Sequence, residues 1–344
     1  MALFKSLRRL FGGTDAPKPR ANPVEDVPAP RVRVSSAQTR PDSRAPGVLG
    51  DSDPSDDDVE KRFTCLLLGV DRMRQVEVEP PERLVIEQIR ELARRGGDPD
   101  LIPRLPVALP RVINMVRRDD VSPREMAERL SHDPALVGEV VRIANSPRYR
   151  TGRDIANLQE AVLVLGQRGL MQLVTNVTMR PIFNAQQGRF SRIAGTRLWD
   201  LSERSACACA HMCGGGSDTF QAYLAGMASN VGLIAVLRIL DLGYKEPQPP
   251  DTEGFHHALL QETATLSGQI ARHWEFPPNV CHAVAHSADP QERSQDDELV
   301  ALLRSAVHIS KWHVLMPGLS GAALATLPEP ARRGYLELER VFGH

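Results

Sequence analysis

Ser122-Pro123-Arg124-Glu125-Met126-Ala127-Glu128-Arg129-Leu130, followed at once by Ser131-His132-Asp133-Pro134-Ala135-Leu136, is the stretch that decides the fold class. Ser122 with Glu125 three residues on has the form of a capping box. Pro123 sits at the first helical position, where a missing N–H leaves no bond unmade. The helix that follows turns Met126, Ala127 and Leu130 to one side. Asp133-Pro134 repeats the start signal, and the next inner face is Leu136, Val137, Val140, Val141 and Ala144. Asn157 with Glu160 opens a third helix containing Ala161, Val162 and Leu165. Gly166 ends it, and another runs over residues 167–179. Short capped helices joined by brief loops build a compact α-bundle.

The same periodicity extends both ways. Toward the C-terminus, residues 197–212 form a long, small-residue-rich helix. Residues 218–240 are nearly all apolar and read as one central buried helix. Further helices are expected over 255–274, from Pro277-Pro278 to about His286, over 296–314 and over 330–341. Toward the N-terminus, helices are expected over 59–70 and 82–95. Between them residues 75–79 alternate, the one place past the tail where a very short strand is expected. The fold class is therefore all-α.

The chain has 344 residues, enough for about two domains. Forty-two Lys and Arg face 43 Asp and Glu, for a net charge of −1, which excludes the single-sign field common in nucleic-acid binders. Residues 1–44 hold nine basic and four acidic side chains, whereas residues 45–60 hold six acidic and no basic ones. The remaining residues balance, so the asymmetry lies in a tail. Five cysteines, three of them crowded at Cys207, Cys209 and Cys213, make no disulfide framework for this length and suit a reducing, cytoplasmic setting. No apolar run is expected to span a membrane, and no signal-peptide pattern is present.

Residues 1–12 place Leu3, Phe4, Leu7, Leu10 and Phe11 at helical spacing, with Lys5, Arg8 and Arg9 mainly on the other side. Such a basic amphipathic segment can lie weakly on an anionic membrane surface or dock into a partner groove; alone in water it frays. Residues 13–58, rich in Pro and Asp, are expected to be a disordered linker.

Several motifs together resemble the HDOD family, the HD-related output domains of bacterial signalling proteins. They are Leu101-Ile-Pro-Arg-Leu-Pro106, Ser131-His-Asp-Pro-Ala-Leu136, Arg142-Ile-Ala-Asn-Ser146, Leu158-Gln-Glu-Ala161 with Leu165-Gly166, Leu198-Trp199, Ala225-Gly226 and Trp274-Glu-Phe-Pro277. The signature residues are Asp133, Pro134, Asn145, Ser146, Gly166, Trp199, Gly226, Trp274 and Pro277. The resemblance covers 98–315. It implies a two-part helical bundle, with an N-terminal part over 98–189 and a degenerate part over 190–315 related to HD phosphohydrolases. Residues 59–97 and 316–344 would then be accessory helices and a C-terminal helical extension.

The resemblance also points to where metal ligands would stand. In related sequences a His-Asp pair falls in a segment that here reads Gly226-Met-Ala-Ser-Asn-Val-Gly232. Ser229 and Asn230 take the two positions, and neither suits a divalent cation. Asp200-Leu201-Ser202 after Trp199 and Glu262-Thr263 before Trp274 lack the histidines sought there. Only His286 survives near a ligand position, and Ser287 follows it. No metal, cofactor or catalytic residue is therefore expected.

Other groupings read as structure. Cys207, Cys209, His211 and Cys213 lie on different faces of one helix. His282 and His286 stand at i, i+4 but lack the glutamate of a His-Glu-x-x-His site. Gly214-Gly-Gly216 is a turn. Arg142, Arg148, Arg150 and Arg153 around Tyr149 form a solvated basic loop.

The resulting expectation is a non-enzymatic signalling or scaffolding protein of bacterial type. It would act through contacts with signalling proteins, without nucleic acid, cytoplasmic and in part peripheral to the inner membrane face. Neither the partner nor the oligomeric state is encoded legibly. Two rivals from other classes are a divergent metal-dependent phosphohydrolase built on His282, His286 and Asp289, and a peripheral membrane adaptor recruited by residues 1–12.

Overall fold

The computed structural model describes residues 56–96, 102–105, 108–116, 122–146, 154–184, 188–215, 218–288, 298–319 and 321–343. The amphipathic segment Leu3–Phe11, the linker up to residue 55 and the basic loop with Arg148, Tyr149, Arg150 and Arg153 lie outside them.

The described residues form helices and no strands: α1 (Asp56–Leu68), α2 (Pro80–Arg94), α3 (Ala108–Val116), α4 (Pro123–Leu130), α5 (Pro134–Ala144), α6 (Leu158–Asn184), α7 (Arg189–Met212), α8 (Thr219–Ala228), α9 (Val231–Gly243), α10 (Glu253–His273), α11 (Pro278–His286), α12 (Glu298–Leu315), α13 (Gly321–Thr326) and α14 (Glu329–Phe342). The short strand expected near residue 75 is reduced to one isolated bridge between Arg74 and Thr252. Two ties hold that bridge. Arg74 pairs with Asp251 at 2.6 Å. Glu82, 1% exposed, accepts hydrogen bonds from the backbone amides of Asp251 and Thr252 and from the Thr252 hydroxyl.

The starts of the helices follow their caps. Ser122 Oγ accepts from the Glu125 amide at 3.2 Å, and Asp133 Oδ1 from the Leu136 amide at 3.1 Å. Asn157 Oδ1 accepts from the Glu160 amide at 2.8 Å. Each such bond satisfies a donor that the helix cannot, worth about 1 kcal/mol. The Glu125 side chain turns to Arg129 on the same helix. At α7 the cap comes from afar: Asp241 of α9 accepts from the amides of Phe190 and Ser191 and from the Ser191 hydroxyl.

The N-terminal part packs α3, α4 and α5 on α6, which kinks at Gly166 with φ 71°. In the C-terminal part α7 packs against α8, α9 and α12, while α10 packs on α9 and α11. The flanking helices complete this core. Helix α1 lies on α12 and α7, α2 on α10 and α9, and α14 on α7 and α12. Val59, Phe63 and Leu67 of α1 and Tyr335 and Leu338 of α14 are buried in one apolar cluster with the rest.

The central helix expected over 218–240 is two helices. Thr219–Gly243 has the length and hydropathy of a membrane span, where no run that long is expected from the sequence, yet 94% of its 18-residue apolar window is buried within the fold. Ser229 and Asn230 break it. Ser229 Oγ donates back to the Gly226 carbonyl at 2.8 Å, and Asn230 Nδ2 donates to Ser229 Oγ at 2.8 Å. Side chains that bond locally to backbone compete with helix continuation. Glycines stand on both sides of the break, where backbones touch. A Cβ on Gly226 would come within 2.5 Å of the Ser205 carbonyl oxygen, and one on Gly232 within 2.4 Å of that of Thr263.

Candidate functional site, a cleft at the helix break

The break between α8 and α9 opens into a cleft of about 780 Å³. Its floor holds Ser229, Asn230, Thr263 and Ser287, so four of the positions inspected for metal ligands do converge on one place. Helix α1 roofs it with Glu60, Phe63, Thr64 and Leu67. Helix α12 supplies Arg304, His308, Lys311 and Trp312 to the wall.

Its electrostatics follow from those side chains. Glu60 is the one carboxylate among the lining residues, and both its oxygens accept from Lys311 Nζ, at 2.6 and 2.7 Å. Lys311 is 8% exposed, and its ammonium also stands 5.7 Å from the Phe63 ring centre. Arg304 donates to the Ser287 carbonyl at 3.0 Å, and the His308 ring stacks at a tilt on Trp312. Behind the roof, His256 is fully buried with Nδ1 3.0 Å from the Thr64 hydroxyl, and burial holds its pKa down at about 4.

Chemically, the floor offers hydroxyls and one carboxamide. A dinuclear hydrolytic centre needs several carboxylates and imidazoles around its ions. This floor provides none, and the one carboxylate among the lining residues is held by an ammonium. The wall carries the Arg304 guanidinium and the Lys311 ammonium, which favour a polar or anionic neighbour over a divalent cation, and His308 is the one imidazole among the lining residues.

The remaining ligand positions lie elsewhere. Asp200, Ser202, Glu262 and His286 do not line the cleft. Glu262 pairs with Arg90 at 3.3 Å. His282 and His286 stack on each other with ring centres 4.4 Å apart, also away from the cleft. Asp289, their carboxylate in the hydrolase reading, lies outside the described residues. Cys207, Cys209, His211 and Cys213 do not gather at one point. Cys209 is fully buried, and burial pushes its thiol far up from the ordinary range. None of the five cysteines is in a disulfide. Arg142 pairs with Glu139.

The signature residues serve the fold and do not line the cleft. Asp133 and Pro134 start α5, and Pro277 stands before α11. Asn145 clasps the backbone of Ile155 twice, donating to its carbonyl at 2.7 Å and accepting from its amide at 2.8 Å. Ser146 closes the turn after α5 through its amide, which donates to the Ile143 carbonyl. Trp199 meets Phe183 edge-on at 5.6 Å. Trp274 Nε1 donates to the Pro103 carbonyl at 3.0 Å, tying α10 to the N-terminal part. The cleft's roof and wall were not singled out from sequence. Glu60 and Lys311 meet across most of the chain, and nothing local to either marks the pair.

The profile of the HDOD domain family matches residues 102–290. The solved structure of an HDOD domain protein from Geobacter sulfurreducens shares this fold with a TM-score of 0.54 at 20% identity, covering 76% of this chain and 89% of that one. A protein from Shewanella amazonensis SB2B, named as a candidate metal-dependent phosphohydrolase, gives 0.55 at 18% identity, with 76% and 99% covered. Among curated proteins, an uncharacterized one from Treponema pallidum (strain Nichols) is 22% identical over 240 residues, 66% of this chain; the chain spans less than half, 45%, of that relative. The profile covers more than half of the sequence and the architecture agrees with it: this chain belongs to the HDOD domain family, a signalling-related family.

Proposed function

We propose that this protein is a non-enzymatic signal-transduction module whose HDOD domain works as a platform for other signalling proteins. One observation carries the reading. Ser229, Asn230, Thr263 and Ser287 meet in a single cleft where relatives of the HD type would hold metal, and together they present neither imidazole nor carboxylate. In this reading the cleft is a metal site without its ligands. Residues 1–12 add, in this reading, a weak basic amphipathic contact that brings the platform to an anionic membrane face or to a partner groove. The protein would then act in the cytoplasm, partly at the inner membrane surface.

The test is an assay of the purified full chain on bis(p-nitrophenyl) phosphate and on cyclic dinucleotides with Mn²⁺ or Mg²⁺. The expected result is no turnover that a chelator removes. Robust chelator-sensitive hydrolysis would overturn the proposal in favour of a divergent phosphohydrolase. Co-sedimentation with anionic liposomes tests the tail. Binding that is unchanged by Phe4→Asp with Leu7→Asp removes the amphipathic segment from the account.

A further inference from the structure

We infer that Asp57, His256 and His257 bind one divalent cation of the zinc type, joining the first turn of α1 to α10 beside the cleft. One ring nitrogen of each histidine and one carboxylate oxygen of Asp57 lie within 4.8 Å of one another. Asp57 stands in the first turn of α1, and the two histidines in the second turn of α10.

His256 is the informative member. It has no exposed surface, and its Nδ1 faces the Thr64 hydroxyl at 3.0 Å, while its Nε2 is buried with no hydrogen-bond partner. A buried polar atom left unsatisfied costs on the order of 1–3 kcal/mol, so it calls for an occupant. Metal-binding histidines commonly use one nitrogen for the ion and the other for an orienting hydrogen bond. Thr64 provides that second bond here.

The other two ligands are exposed. The two imidazole ring centres are 5.6 Å apart. Two imidazoles on one tetrahedral ion, each bound at about 2.0–2.1 Å, have ring centres roughly 5 Å apart. The rings are thus already near the spacing of a shared ion, and closing the site needs only rotation of exposed side chains. Two nitrogen donors and one carboxylate select zinc and its neighbours over magnesium or calcium, which prefer all-oxygen shells. Asp57 now pairs with Lys61 at 2.7 Å, and Lys61 also holds Glu253 at 3.0 Å. Cation binding releases Lys61 from Asp57 and leaves it the second partner. Water fills the remaining coordination.

The test uses the full chain, stripped with a chelator and then dialysed against Zn²⁺ alone. Zinc content is read by elemental analysis, and the thermal unfolding midpoint is read with and without the ion. One zinc per chain and a midpoint raised by the ion are expected. Asp57→Asn and His257→Ala, both surface changes, should each weaken uptake by roughly tenfold or more and remove the shift. His282→Ala, which alters the other adjacent histidine pair, should leave both intact. No uptake by the native chain, uptake that survives both surface substitutions, or uptake lost only in His282→Ala would overturn the assignment. Hydrolytic activity plays no part in these readouts, so this inference and the proposed function fail separately.

Discussion

Lys311 Nζ lies 2.6 and 2.7 Å from the two carboxylate oxygens of Glu60, joining α12 to the helix that roofs the cleft. The ammonium is nearly sealed from water, whereas a quarter of the glutamate side chain remains exposed. Removing one partner of such a pair strands the other, and the loss falls hardest when the stranded charge is the buried one. Glu60→Gln is therefore expected to cost about 3 kcal/mol in urea unfolding. Glu60→Gln with Lys311→Met should recover most of that loss. A double variant no more stable than Glu60→Gln alone would show that the pair is not what holds α1 down.

Glu82 makes a second prediction. Its buried carboxylate collects two backbone amides and a hydroxyl from the segment before α10. Glu82→Gln presents an N–H₂ to some of those donors. Loss of about 2–3 kcal/mol is expected from chemical denaturation. Amide exchange at Asp251 and Thr252 should speed up together.

His313 gives a pH dependence. Burial first, then Arg204 beside it, holds its pKa below the ordinary 6.5, against the pull of Glu339. Arg204 Nε donates to His313 Nδ1 at 3.2 Å, a bond that requires that nitrogen to be unprotonated. The unfolded chain takes up its proton near pH 6.5, and the folded chain only lower. The contribution to stability is thus complete above pH 6.5 and lost as pH falls through the folded value. His256 is depressed in the same direction. Urea midpoints measured from pH 7.5 down to 5 should fall, and His313→Gln should flatten part of that slope. An unchanged slope would remove His313 from the account.

The degenerate floor predicts a failed restoration. Ser229→His with Asn230→Asp installs a His-Asp pair at the two positions that the family resemblance marks, but Thr263 and Ser287 still offer no ligand. The variant is expected to show no chelator-sensitive phosphodiesterase activity. Turnover in it would mean that two residues suffice.

Much of this could be read in the chain. The caps at Ser122, Asp133 and Asn157 are local signals, and each starts a helix where it should. Ser229, Asn230, Thr263 and Ser287 stand out in the sequence because the family resemblance gives them a register. Other features depend on distant encounters. Hydropathy alone favours one helix through Ser229-Asn230, because it is blind to a hydroxyl and a carboxamide that bond back to local groups. Glu60 closes an acidic run at the start of an expected helix, and only its meeting with Lys311 makes it part of the roof. Asp57 is hidden in the same way, since its histidines come far later in the sequence.

Helix α1 has one more consequence. Its inner face closes the cleft, and its first turn is where the preceding 55 residues join the fold. Roof and tether are one covalent piece. A partner that captures α1 must unseal Phe63 and Leu67, and an occupant of the cleft that needs its roof must oppose that capture. By thermodynamic linkage each weakens the other by the same factor. Capture of the covering helix and occupation of the cleft would therefore be mutually antagonistic.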